Sequence, residues 1–178
     1  PKISLELILS LKLSKDSPII DVGGGDSFLV DSLIEKGYLD LTVLDISKVA
    51  IERAKNRLGK HAKKVNWIVA DITNFYPERK YSVWHDRAVF HFLRNEQEIN
   101  SYLKSLNDGT DDNGKLVIGT FAENGPLRCC ALDVMRYSFN DLENTFCNYF
   151  QINKMINSIH QTPFKTEQSF NFIQAIKK

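Results

Sequence analysis

The sequence predicts an α/β fold, a doubly wound sheet of mostly parallel strands with helices on both faces. Short apolar runs alternate with segments of helical periodicity along almost the whole chain of 178 residues, a pattern typical of such sheets. An acidic residue also lies at or near the end of four successive apolar runs: Asp21, Asp45, Asp71 and Asp86. Because the carboxyl ends of parallel strands meet at one edge of a sheet, these carboxylates are predicted to line the edge where ligands bind.

Apolar runs bounded by turn residues predict the strands. They lie at residues 18–22, 41–45, 65–70, 81–85, 115–121, about 150–159 and 169–176, with a turn at Thr162 and Pro163 between the last two. Helical spacing predicts helices at residues 3–13, 27–36, 48–58, 96–106 and 140–146. Ser47 and Asn140 are the predicted N-caps, and Asn140 is paired with Glu143 in a capping box. Residues 108–114 are predicted to form a polar turn before the fifth strand.

Composition limits the class of protein and its partners. We expect one domain over residues 1–178, in which the absence of an initiator Met before Pro1 is compatible with a truncated N-terminal segment. The net charge of +1 and the lack of a basic block argue against a nucleic-acid partner. No apolar run approaches the roughly 20 residues that span a membrane. Three cysteines without zinc spacing predict neither a disulfide framework nor a metal site. We therefore expect a cytoplasmic monomer or weak dimer.

A glycine-rich turn indicates the ligand. Asp21 and Val22 are followed by Gly23, Gly24 and Gly25, and glycines let the backbone approach a bound nucleoside closely. Asp45 follows about twenty residues later, at the tip of the next strand, where a carboxylate can accept hydrogen bonds from both ribose hydroxyls. A dinucleotide site requires a third glycine, and this chain has Phe28 there. A cationic sulfonium cofactor has no pyrophosphate to bind and is favoured by nearby acids.

These motifs resemble those of the class I S-adenosylmethionine-dependent methyltransferases. The family's glycine motif is matched by residues 21–26, its acid after the second strand by Asp45, and its acid after the third strand by Asp71. The segment from Trp84 to Arg87 resembles a small bacterial-type subgroup that has Trp-His-Asp-Arg after the fourth strand. The resemblance implies a Rossmann-like seven-stranded sheet of order 3-2-1-4-5-7-6, in which strand 7 is antiparallel. It also implies S-adenosyl-L-methionine as cofactor and S-adenosyl-L-homocysteine as product.

The resemblance also assigns roles to particular residues. The predicted cofactor-binding residues are Asp21, Gly23, Gly24, Gly25, Asp45, Ile46, Asp71, Ile72 and Asp86. The predicted catalytic residues are His91, His85 and Arg87, with His91 as the candidate base because histidine titrates near neutral pH. Asp86 and Arg87 form a structural ion pair in an alternative interpretation, and Arg87 orients an anionic substrate in another.

The predicted function is methyl transfer to a small molecule or to a protein side chain. The signature Asp/Asn-Pro-Pro-Phe/Tyr is absent after the fourth strand, which argues against adenine or glutamine methylation. Two alternatives stay open at this point. One is a catalytically silent cofactor-binding or scaffold protein, and the other is a nicotinamide-dependent oxidoreductase, which Phe28 argues against.

Overall fold

A computed structural model of the chain describes residues 2–161 and 167–178. The strands are β1 (Ile19–Val22), β2 (Leu41–Asp45), β3 (Val65–Val69), β4 (Tyr81–Arg87), β5 (Thr110–Phe121), β6 (Arg128–Cys129), β7 (Leu132–Asp133), β8 (Phe150–Gln161) and β9 (Glu167–Lys177). The α-helices are α1 (Lys2–Ser10), α2 (Leu29–Glu35), α3 (Lys48–Leu58), α4 (Glu96–Gly109) and α5 (Phe139–Phe146). Short 3₁₀ helices cover Gly59–Lys64, Ile72–Asn74 and Phe90–Phe92.

The main sheet has the predicted seven strands, in the order β3-β2-β1-β4-β5-β9-β8. Strands β1 to β5 are parallel, and β9 is antiparallel to both β5 and β8. The short strands β6 and β7 pair only with each other. Since β8 and β9 are then the sixth and seventh strands of the main sheet, the predicted order 3-2-1-4-5-7-6 and the antiparallel seventh strand are confirmed.

A hydrophobic core lies on each face of the sheet. On one face, Trp84 packs with residues of α4 and α5, including Tyr102 and Phe146. On the other, Val83 packs with residues of α1 and α2, including Leu7. Successive residues of a strand point to opposite faces. The alternation along β4 therefore directs Asp86 toward α4 and directs His85 and Arg87 toward α1 and α2.

The ends of several elements differ from the predictions. The N-cap of α5 is Ser138, whose hydroxyl accepts from Asp141 N–H at 3.1 Å while the Asp141 carboxylate accepts from Ser138 N–H at 2.9 Å. This capping box begins the helix before Asn140, so Asn140 and Glu143 do not cap it. The predicted polar turn at 108–114 is confirmed only in part, because α4 runs to Gly109 and β5 begins at Thr110. The pairing with β4 passes from Thr110 directly to Lys115, and Asn113 has φ +62°, so the segment between them is an irregular interruption of β5. The turn predicted at Thr162 and Pro163 lies outside the described residues.

Among the helices of the described residues, none is both long enough and apolar enough to cross a membrane.

Candidate functional site

The glycine loop after β1 lies in close contact with its neighbours at the carboxyl edge of the sheet. Gly23 has φ +73° and donates its N–H to Leu44 C=O at 2.7 Å. A Cβ at Gly25 would lie 2.7 Å from Ala50 Cβ and 2.8 Å from an Asp45 carboxylate oxygen, closer than real Cβ contacts. The loop therefore requires glycine at these positions, for steric reasons and, at Gly23, for its left-handed φ.

Asp45 joins the tip of β2 to this loop. Its Oδ2 accepts from Gly25 N–H at 3.0 Å, and its Oδ1 accepts from Ser47 N–H at 2.8 Å. A carboxylate offers about four acceptor positions, so each oxygen of Asp45 keeps one for a ligand. The neighbouring Ile46 side chain is 70% exposed, which excludes a core role and leaves an apolar surface beside the carboxylate.

Asp71 and Ile72 follow β3 and form the start of a 3₁₀ helix. The Asp71 carboxylate is exposed and accepts from the backbone N–H and the hydroxyl of Thr73, at 2.9 and 2.8 Å. It therefore caps this short helix while it faces solvent at the sheet edge. The Ile72 side chain is buried in the core between the sheet and α4. This burial does not favour a side-chain contact between Ile72 and a ligand, and the predicted adenine contact of Asp71 and Ile72 stays a prediction.

Asp86 is 0% exposed and has a structural role. Its carboxylate accepts from Val89 N–H at 2.9 Å, Phe90 N–H at 3.1 Å and the Tyr102 hydroxyl at 2.8 Å. Burial raises the pKa of Asp86 to about 6 despite these hydrogen bonds. The alternative of an Asp86–Arg87 ion pair is wrong, because adjacent strand residues face opposite sides of the sheet. The predicted cofactor contact of Asp86 stays a prediction, and the burial of its carboxylate does not favour it.

Asp21 and His85 are adjacent across β1 and β4 and form a buried pair beneath the glycine loop. A hydrogen bond of 2.6 Å joins Asp21 Oδ1 to His85 Nδ1. The other carboxylate oxygen contacts Gly24 so closely that a Cβ there would collide with it. Asp21 Oδ2 and His85 Nε2 are buried and lack a hydrogen-bond partner among the described residues. With His85 only 2% exposed, this pair supports the loop from below. The predicted catalytic role of His85 stays a prediction, and this burial does not favour it.

His91 is enclosed by aromatic side chains. Its ring is 0% exposed and lies between Phe92 and Phe121, with ring centroids 4.8 and 4.5 Å away. Its Nδ1 accepts from Phe121 N–H at 3.3 Å. Burial, reinforced by the positive charge of Arg87, lowers the pKa of His91 to about 4. A neutral, enclosed imidazole does not fit the predicted role of general base, and His91 instead packs the loop after β4 against β5.

Arg87 ends β4 at the opposite side of the sheet from Asp86. Its guanidinium lies 5.3 Å from the centroid of the Phe170 ring, within cation–π range. Within residues 2–161 and 167–178, the guanidinium forms no ion pair and no hydrogen bond. Of the three predicted catalytic residues, Arg87 is the one whose side chain is not fully buried.

Sequence reasoning missed the partners that define these roles. Tyr102 on α4 and Phe170 on β9 fix the surroundings of Asp86 and Arg87, respectively. Both partners are distant in sequence and are brought near only by the packing of a helix and of an antiparallel strand. No local pattern in the sequence indicates either contact.

Comparison with known proteins decides the family. A family model described as a methyltransferase domain matches residues 20–116, more than half of the chain, and contains the glycine loop, Asp45 and the loop after β4. The chain belongs to the class I S-adenosylmethionine-dependent methyltransferases.

Relatives of this methyltransferase chain have different acceptors in their names. Malonyl-[acyl-carrier protein] O-methyltransferase 1 of Ilyobacter polytropus is 32% identical over 110 residues, covering 60% of this chain and 39% of that protein. EEF1A lysine methyltransferase 2 of Danio rerio is 29% identical over 113 residues, covering 60% of this chain and 48% of that protein. The matches thus span less than half the length of these curated relatives.

A solved structure shares the fold of this methyltransferase. N-methyltransferase NodS from Bradyrhizobium japonicum WM9, in complex with S-adenosylhomocysteine, superposes with a TM-score of 0.76 at 16% identity. The superposition covers 99% of this chain and 86% of that one. At this identity the likeness shows the fold, and the family membership supports S-adenosylmethionine as the cofactor.

The residues at the sheet edge fit this cofactor. The glycine loop leaves no side chain in the way of a nucleoside, and Asp45 keeps acceptor positions for a ribose diol. Ile46 offers an exposed apolar surface for the adenine ring. The carboxylates of Asp45 and Asp71 lower the energy of a nearby cation. Among the described residues, no group of three or more His, Cys, Asp or Glu side chains is placed to hold a metal ion.

Proposed function

We propose that this chain transfers the methyl group of S-adenosylmethionine to a nucleophile on a small molecule or a protein side chain by in-line displacement. The observation that carries the proposal is the glycine loop held by Asp45 beside the exposed Ile46. The family membership and the fold support it. The printed names of the relatives, which include an acyl-carrier-protein O-methyltransferase and a protein lysine methyltransferase, leave both acceptor classes open.

When bound, the cofactor supplies a methyl group that is already activated by a positive sulfur. The residues of the chain therefore bind and orient the reactants. In the proposal, the carboxylate of Asp45 accepts from the ribose hydroxyls, the backbone of Gly23 to Gly25 contacts the nucleoside, and Ile46 packs on the adenine. Holding two reactants close and aligned can lower a barrier by about 7–11 kcal/mol in favourable cases.

The positions of the two histidines shape the proposed chemistry. Both His85 and His91 are buried, and the pKa of His91 is lowered to about 4. A weak, enclosed base removes protons from a substrate poorly. We infer that the acceptor presents a lone pair that is available near neutral pH, as a carboxylate, a thiolate or an unprotonated amine does.

Titration calorimetry with S-adenosylmethionine, S-adenosylhomocysteine and NADH tests the cofactor half of the proposal. We expect micromolar binding of the first two ligands, no binding of NADH, and loss of binding in Asp45→Ala. The matched control is Asp40→Ala, because Asp40 lies just before the opposite end of β2 and pairs with Arg79 on the surface. Asp40→Ala should keep the affinity within about twofold, since an exposed ion pair contributes about 0–1 kcal/mol.

Three outcomes count against the proposal. Absence of S-adenosylmethionine binding by the folded chain would remove its basis. Binding of NADH would favour the oxidoreductase. Tight cofactor binding without methyl transfer to any carboxylate, thiol or amine in an S-adenosylhomocysteine-release assay would favour a silent cofactor-binding protein.

A further inference from the structure

A cavity of about 200 Å³ lies at the carboxyl edge of the sheet, beside the end of β4. It is bounded by the first turn of α1, by Arg87 and by the paired strands β8 and β9. The residues that matter for its chemistry are Lys2, Ser4, Arg87, His160, Phe170 and Phe172. The last residue of β1, Val22, pairs with Asp86, so Arg87 lies at the level where the glycine loop leaves β1. Because β4 and β2 flank β1 on opposite sides, Arg87 lies on the side of the loop away from Asp45.

The charge in this cavity is one-sided. Lys2 and Arg87 are cationic, and none of the described residues that line the cavity is Asp or Glu. Burial lowers the pKa of Arg87, and the Asp21 carboxylate beneath the loop partly offsets this effect. An arginine nevertheless keeps its charge in proteins. A half-buried guanidinium without a hydrogen-bonded anion is unfavourable. An anion that binds in the cavity would therefore be stabilised by the hydrogen bonds that it accepts from this guanidinium.

Two further polar groups converge on the same space. Ser4 is 1% exposed, and its hydroxyl is buried without a hydrogen-bond partner among the described residues. Burial lowers the pKa of His160, and the positive charge of Arg87 lowers it further. His160 is therefore neutral near pH 7 and able to donate one hydrogen bond. The fold thus brings Arg87, Ser4 and His160 to the lining of one cavity, and within residues 2–161 and 167–178 none of the three pairs with an acidic side chain.

The other walls are apolar. The rings of Phe170 and Phe172 line the cavity, as do the side chains of Ile3 and Ile159. An anion that carried two charges and no apolar part would leave these walls uncovered and would lose more hydration. A carboxylate on an apolar body matches both the cationic and the apolar parts of the cavity. The carboxylate can accept two parallel hydrogen bonds from a guanidinium, and the apolar body covers the walls.

We propose that this cavity is the acceptor site and that it binds a small organic carboxylate, with Arg87 and Ser4 holding the carboxylate and Phe170 and Phe172 covering an aromatic or aliphatic body. The assignment rests on the proposed function, because it places the acceptor beside the proposed cofactor site. It identifies the carboxylate as the group that anchors the ligand.

The test uses benzoate as the probe and benzamide as its neutral isostere, each titrated into protein saturated with S-adenosylhomocysteine and followed by protein-detected NMR. We expect benzoate to bind about tenfold more tightly than benzamide, as charge-assisted pairing predicts. Inorganic phosphate is the third ligand, and we expect it to bind more weakly than benzoate. Equal affinity for benzoate and benzamide, or tighter binding of phosphate, would overturn the proposal.

Variants locate the effect. Arg87→Gln should abolish the preference for benzoate, Arg87→Lys should keep part of it, and Ser4→Ala should weaken benzoate binding several-fold. Arg94→Gln is the matched control, because Arg94 is an exposed arginine outside the cavity, and it should change nothing. A benzoate preference that survives both Arg87→Gln and Ser4→Ala contradicts the assignment. The affinity for S-adenosylhomocysteine is measured in every variant, so loss of the cofactor site is distinguished from loss of the carboxylate site.

Discussion

The two ends of the ligand-binding edge differ in how their polar groups are satisfied. At the β1–β2 end, both oxygens of Asp45 accept backbone hydrogen bonds, one from Gly25 in the glycine loop and one from Ser47. Beneath the loop, Asp21 Oδ2 and His85 Nε2 lack a partner among the described residues, so the comparison concerns Asp45 and not every polar group at this end. At the β4–β9 end, Arg87 and Ser4 lie beside a cavity without such partners among the described residues. A site with its internal bonds in place is pre-organised for one ligand. In a site with unsatisfied donors, the ligand supplies the missing hydrogen-bond acceptors. We interpret the β1–β2 end as the cofactor end and the β4–β9 end as the acceptor end.

Asp86 lies on the face of β4 opposite to that of Arg87. Of the variants considered, Asp86→Ala should cause the largest loss of stability. Removing the carboxylate leaves Val89 N–H, Phe90 N–H and the Tyr102 hydroxyl without their acceptor. We expect a loss of about 3–5 kcal/mol in the free energy of unfolding, measured in urea. Tyr102→Phe removes one donor to Asp86 and also the acceptor of the Trp84 indole N–H at 3.3 Å, and it should cost about 1–3 kcal/mol.

Asp86→Asn keeps the shape of the side chain and separates folding from cofactor binding. This variant should bind S-adenosylhomocysteine within about twofold of the wild type, because its side chain faces α4 and not the ligand edge. Loss of cofactor affinity in a stably folded Asp86→Asn protein would show that Asp86 does contribute to cofactor binding.

Gly25→Ala tests the cofactor end directly. The added methyl group would lie 2.7 Å from Ala50 Cβ and would push against Asp45. We expect about a hundredfold loss of S-adenosylmethionine affinity in calorimetry, equivalent to about 2.7 kcal/mol. Gly37→Ala is the control, since that glycine has φ +83° and open space around its Cβ position. It should cost about 1 kcal/mol of stability or slightly more and leave affinity unchanged, and equal affinity losses in both variants would show that the effect is not local.

The pH dependence of stability compares Asp86 with His91. The raised pKa of Asp86, about 6 against 3.8, gives stability that is fully present below pH 3.8 and is lost as the pH rises through 6. The lowered pKa of His91, about 4 against 6.5, gives stability that is present above pH 6.5 and is lost as the pH falls through 4. The two contributions therefore oppose each other between about pH 4 and 6.

His91→Gln removes one of these opposing contributions. Asp86 then acts alone, and the free energy of unfolding should fall by about 2–3 kcal/mol, relative to the wild type, as the pH rises from 4 to 6.5. Urea unfolding of both proteins at several pH values measures the difference. Parallel profiles for the wild type and the variant would contradict the burial-shifted pKa of His91.

Ile46→Ser should have the smallest effect. Replacing the exposed isoleucine beside Asp45 removes the apolar surface proposed for the adenine, and we expect about a fivefold loss of cofactor affinity, close to 1 kcal/mol. Leu39→Ser is matched in exposure but lies before the opposite end of β2, so it should bind the cofactor normally. Identical affinities in Ile46→Ser and the wild type would remove Ile46 from the proposed site.

The sequence supported predictions wherever the signal was local. Ser47 caps α3 as predicted, with its hydroxyl accepting from Ala50 N–H at 3.2 Å, because capping depends on residues three apart. The placement of Gly25 beside Asp45 was also predictable, since it follows from the glycine motif and its spacing to the next acid. The strand order was predicted from the resemblance to the methyltransferase family. The cofactor end is made of such short-range features.

The acceptor end depended on contacts between distant segments. The burial of His91 results from Phe121, thirty residues later on β5. The inward direction of Asp86 follows from strand alternation, but the prediction ended β4 at His85 whereas the strand runs to Arg87. The cavity itself needs α1, β8 and β9 together. No window of sequence contains these three elements, so its chemistry emerged only from the structure.

A crystal structure of the chain with S-adenosylhomocysteine most directly tests the proposed division of the ligand-binding edge into a cofactor end and an acceptor end. We predict the ribose hydroxyls within hydrogen-bond distance of the Asp45 carboxylate, the adenine against Ile46, and the sulfur on the side of the cavity that contains Arg87. A ligand that leaves Asp45 without a ribose contact, or that turns its sulfur away from Arg87, would contradict the division into a cofactor end and an acceptor end.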